Sequence, residues 1–103
     1  MSARPTKSKG RTLRLRLYVV GESPNSVAAL RHLRALLARH PSCRVDLEVL
    51  DLLKHPELGV RDGGLVTPLM IRLAPAPERR IFGTLKDTDA LAAVLGLAEA
   101  VRE

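Results

Sequence analysis

The sequence predicts an α/β domain with the order β-α-β-α-β-β-α. Two runs of apolar–polar alternation flank a long stripe of helical period. The second half then reads as a short apolar run, a proline-rich turn, another short run and a closing helix. At 103 residues the chain is near the commonest size for a single domain. We place the domain at residues 13–103, after a basic arm at 1–12 expected to be disordered.

From Leu13 the pattern alternates, with Leu13, Leu15, Leu17 and Val19 on one face and Arg14, Arg16 and Tyr18 on the other. That is a strand, and Gly21 ends it. Tyr18, although on the polar-alternating face, is expected to pack under a helix. Ser23 is the predicted N-cap of the first helix and Pro24 its first residue, where the missing N–H costs nothing. Val27, Leu30, Leu33, Leu36 and Leu37 form its apolar stripe, with Arg31, Arg34 and Arg39 toward solvent. Pro41 stops it. Val45, Leu47 and Val49 against Arg44, Asp46 and Glu48 make a second strand, parallel to the first because a helix connects them. A short helix follows between Asp51 and Val60, started at Asp51 or at Pro56. Leu69 to Leu73 is a strand, Pro75-Ala76-Pro77 a stiff turn, and Arg79 to Phe82 a strand paired antiparallel. Asp87 caps the last helix, whose stripe is Leu91, Val94, Leu95 and Ala98, with Gly96 as a weak spot. This order is that of a thioredoxin-like domain, in which the residue pair before the third strand, here Thr67-Pro68, is usually a cis X-Pro.

The charge is unevenly placed. Residues 1–16 carry six basic side chains and no acid, whereas the rest carries eleven of each sign. The net charge of +6 therefore belongs to the arm and the first strand. Tyr18 and Phe82 are the only aromatic residues, which argues against base stacking and so against nucleic-acid binding. No apolar run is long enough to span a membrane, and the arm has no apolar signal region. A cytoplasmic protein is expected, consistent with a single cysteine, Cys43.

The chemistry usual to this scaffold needs a thiolate and a resolving sulfur at the tip of the first helix. That window reads Ser23-Pro24-Asn25-Ser26. No His–Asp arrangement supports Ser23 or Ser26 as nucleophiles. His32, His40 and His55 show no ligand spacing, so no metal site is expected. Gly63-Gly64 lacks the Lys and Ser/Thr of a phosphate loop. No catalytic residue and no cofactor are predicted.

Taken in order, Leu15 with Tyr18-Val19-Val20-Gly21, Ser23 to Leu30, Asp51 to Leu58, Thr67-Pro68, Pro75-Ala76-Pro77, Arg79 to Gly83 and Leu85 resemble the KaiB family of clock proteins. The chain departs from the family pattern at Gly63-Gly64 and in its longer basic arm. The resemblance implies a non-enzymatic regulator that binds a KaiC-like ATPase and modulates its phosphorylation or ATPase cycle. A KaiA-like protein and a histidine kinase are further implied partners, and so is self-association into a homo-oligomer. It also implies two packings: the thioredoxin-like βαβαββα state is the fold-switched one, and a βαββααβ ground state is the alternative. By this resemblance Lys54, Arg79 and Arg80 are partner-binding residues. Thr67, Pro68, Gly63 and Gly64 mark the cis-proline and switching segment. The residues themselves are compatible with two packings, because the apolar runs after the second strand are too brief to fix helix or strand by period. An interaction or stress-response module without a circadian role is the second functional reading, and a thioredoxin-like redox enzyme the third.

Overall fold

The computed structural model describes residues 12–61 and 67–97. Residues 1–11, Gly63, Gly64 and Ala98 lie outside the described residues. Seven elements follow one another: β1 (Thr12–Val19), α1 (Pro24–Ala38), β2 (Arg44–Asp51), α2 (Pro56–Arg61), β3 (Leu69–Ala74), β4 (Arg79–Phe82) and α3 (Thr88–Leu95). They form one four-stranded sheet in the order β2-β1-β3-β4, the thioredoxin-like arrangement.

β1 runs parallel to β2, with Leu15 beside Leu47 and Leu17 beside Val49. It runs antiparallel to β3, which pairs antiparallel with β4. Period-two alternation sends Leu13, Leu15, Leu17 and Val19 to one face with Met70. Ala29, Leu33 and Leu36 of α1 and Leu91, Ala92 and Leu95 of α3 close over them. Leu13, Leu17, Leu33 and Leu95 are fully buried, and each contributes about 1.5–3 kcal/mol relative to exposure.

The opposite face carries a smaller cluster of Tyr18, Leu69 and Ile71, with Leu50, Leu52, Leu58 and Leu73 packed against it. Tyr18 thus sits beneath α2, through Leu58. Its hydroxyl meets the Arg16 guanidinium two residues earlier on the same face. Burial opposes the charge on Arg16, but hydrogen bonds to Tyr18 and Glu48 outweigh it and raise the guanidinium pKa.

Three local expectations need correction. In α1 the expected stripe holds at Leu33 and Leu36, with Leu30 and Leu37 packed against the core, but Ser26 and Ala29 are buried beside them and Val27 stands 46% exposed. Ser23 occupies the N-cap position, yet its hydroxyl caps no backbone N–H. Gly96, expected as a weak spot inside α3, instead terminates it in the left-handed conformation at φ 73°. Between the two starts open for α2, the helix begins at Pro56.

Candidate partner-binding surface

Two turns meet at the end of the sheet where β1 and β2 finish side by side. The Asp51 carboxylate accepts hydrogen bonds from the Gly21 N–H and the Leu53 N–H, each at 2.9 Å. One side chain thereby ties the β1–α1 turn to the β2–α2 turn. The Gly21 and Leu53 amides, with Lys54 and His55 adding to them, hold the Asp51 carboxyl below its ordinary value. Gly21 takes φ 52°, and a Cβ there would lie 2.7 Å from Leu53 Cδ1, so Leu53 lies across the turn that glycine permits.

α1 starts from this turn with its hydroxyls turned inward. The Ser26 Oγ accepts from the Val20 N–H at 3.0 Å and from the Ser23 hydroxyl at 2.9 Å. Both hydroxyls at this helix tip are therefore engaged in holding the turn. The one thiol, Cys43, is in the turn before β2, at the far end of α1, about 22 Å away for a helix of this length.

Between α1 and β2 lies a groove of about 690 Å³. Val19, Val27, Leu30 and Val49 supply its apolar lining, and Arg31, Arg34 and Lys54 its cations, with Glu22 and Asp51 also present. Among the described residues four large apolar side chains stand exposed: Val27, Val49, Leu53 and Phe82. Val27 and Val49 line this groove, and Leu53 adjoins it next to Lys54. Exposed apolar side chains thus gather at this end of the sheet, with Phe82 apart from them on β4. β2 is also an edge strand of the sheet, so its outer backbone groups face away from β1.

Lys54 is exposed at the groove. Arg79 and Arg80 are exposed on β4, the opposite edge of the sheet, and Arg80 Nε donates to Glu78 at 3.1 Å. The structure therefore does not bring the three expected binding residues into one patch. The Thr67–Pro68 peptide is cis, as are Ala74–Pro75 and Ala76–Pro77. The Pro68 carbonyl accepts the Gly83 N–H at 2.9 Å, joining the start of β3 to the end of β4. Sequence reasoning missed Val27, Val49, Leu53 and Asp51 as surface features. The valines sit at positions that period alone assigns to the core. Asp51 could have been found as an Asp closing a strand two residues before a turn amide.

No group of three or more His, Cys, Asp or Glu that could hold a metal occurs among the described residues. Nor is any described helix long and apolar enough to cross a membrane. Comparison with known proteins gives the family. The profile of the KaiB domain matches residues 16–97, which is most of the chain. The chain belongs to the KaiB family. Two KaiB relatives, each named a circadian clock oscillator protein, show the extent of the likeness. That of Prochlorococcus marinus is 42% identical over 82 residues, covering 80% of this chain and 69% of the relative. That of Microcystis aeruginosa is 39% identical over 94 residues, 90% of each. Among solved structures, the N-terminal domain of Synechococcus elongatus SasA superposes with a TM-score of 0.66 at 22% identity, over 99% of this chain and 100% of that one. Chloroplastic thioredoxin z gives 0.67 at 17% identity, over 81% and 75%. These two share the fold with this KaiB-family chain.

Proposed function

We propose that this KaiB-family protein is a non-enzymatic clock regulator that binds a KaiC-like ATPase and modulates its phosphorylation or ATPase cycle. The observation that carries the reading is the α1–β2 groove, where Val27 and Val49 stand exposed beside Lys54. Apolar contacts supply the affinity there, and the cations set orientation and encounter rate. Arg79 and Arg80 on β4 form a separate, second contact. Supporting the non-enzymatic part, the hydroxyls of Ser23 and Ser26 hold a turn where a redox relative needs sulfur. Binding draws on a second packing of the half after β2, whose short apolar runs fix neither helix nor strand by their period.

The test is co-elution of the full chain with a purified KaiC homologue under ATP or ADP, followed over hours. A complex is expected, and Lys54→Glu is expected to weaken it about tenfold through loss of a rim charge. Absence of any complex overturns the reading. Turnover in an insulin-reduction assay would replace it with redox chemistry.

A further inference from the structure

Arg72 of β3 is the one charged side chain that is buried among the described residues, at 8% exposure. It lies opposite Leu15 of β1, on the face that α1 and α3 cover. Its Nη1 donates to the Val94 carbonyl in the last turn of α3 at 2.8 Å. Its Nη2 donates to the Pro77 carbonyl in the β3–β4 turn at 2.6 Å. The Nε is buried and has no partner among the described residues. Neither acceptor is a carboxylate, so among the described residues carbonyl dipoles balance the buried cation.

The end of α3 explains why one of those acceptors is Val94. A helix leaves its last four carbonyls without intrahelical partners. The left-handed Gly96 ending satisfies two of them, since the Gly96 N–H donates to Ala93 and the Leu97 N–H to Ala92. Those bonds pass over Val94, and Arg72 takes its oxygen. A positive charge at this end also meets the negative end of the helix dipole. The same guanidinium reaches the proline turn because its fork holds several donors in fixed geometry, which an ammonium cannot imitate.

We propose that Arg72 is a positioning residue that locks α3 and the β3–β4 turn to the sheet as one unit, so that release of one releases the other. Drying the guanidinium is compensated only while both carbonyls are in place. If α3 lifts away, the cation recovers water and the turn loses its anchor. The lock operates whatever the groove or the β4 edge binds.

Amide hydrogen exchange of the full chain, read by NMR, tests this. In Arg72→Met, the Gly96 and Leu97 amides and those of β4, which pairs with β3 across the turn, are expected to exchange about tenfold faster. Those of β1 should change less than about threefold. Arg72→Lys keeps the charge but can serve only part of the pair, so it should restore part of the protection. Two results overturn the proposal: protection in Arg72→Met as good as in Arg72→Lys, which would make the side chain mere packing, or equal acceleration throughout β1 and α3. Should Arg72→Met fail to fold, Arg72→Lys against the unaltered protein decides alone. Acceleration confined to α3 and β4 upholds the lock, and uniform or absent acceleration removes it.

Discussion

Ser26 shows how a single hydroxyl settles the character of the helix tip. It is buried, and it accepts the Val20 N–H while the Ser23 hydroxyl donates to it. Ser26→Ala leaves that backbone donor without its partner and is expected to cost about 1–2 kcal/mol, measured by urea unfolding. Asp51 makes a second residue-level prediction, through pH. Its folded pKa is depressed below the ordinary 3.8. The carboxylate therefore contributes stability that is complete above the unfolded value and is lost as pH falls through the lower folded one. Asp51→Asn should flatten the stability curve below about pH 4, while the unaltered protein keeps losing stability there. An unchanged profile in the variant would refute the tie between the two turns. Local chemistry makes the Asp51 bond to Leu53 readable, but not its bond to Gly21 or the role of Ser26. A serine after Pro24-Asn25 reads as ordinary helix-start chemistry, and an aspartate after a strand as ordinary turn chemistry. What distinguishes them is a partner on another element, and local spacing does not encode that.

At the scale of elements, α3 depends on its two ends. Asp87 at the N-cap accepts the Ala90 N–H at 3.1 Å, and Asp87→Ala is expected to cost about 1 kcal/mol. At the other end Gly96→Ala forces a Cβ into the left-handed region and is expected to cost about 1–2 kcal/mol. Both are read from thermal or urea unfolding. A Gly96→Ala variant as stable as the original would show that α3 does not need its present ending. The first cap was readable, because Asp before a periodic run is a start signal. The second was misread, because a glycine inside an apolar stripe looks like a flaw in a longer helix until its φ is known. β1 and β2 were plain from alternation, and Pro24 fixed the start of α1. The phase of α1 was not plain, since Val27 and Leu30 satisfy the helical period as well as Ser26 and Ala29 do. Tertiary packing decides between them: the small Ser26 and Ala29 go inward, and Val27 is left to line the groove.

For the whole molecule, sheet order governs what a partner can touch. Lys54 follows β2 at one edge and Arg79 and Arg80 lie on β4 at the other, with β1 and β3 between them. The family resemblance puts Lys54 and the arginine pair in one expected set, and spacing along the chain says nothing about which edge a strand takes. A partner that engages both must reach across the sheet, and the two contacts then share no side chain. Free energies of well-separated contacts add, to within about 0.3–0.5 kcal/mol. Lys54→Glu and the pair Arg79→Glu with Arg80→Glu should each weaken the proposed complex with a KaiC homologue, and combining them should give the sum of the two losses. Titration calorimetry of the three variants checks this. No loss from the arginine pair alone would mean that the two edges serve different complexes, and would remove Arg79 and Arg80 from this interface. A loss far beyond the sum would mean that the edges are coupled through the sheet, contrary to independent docking on its two sides.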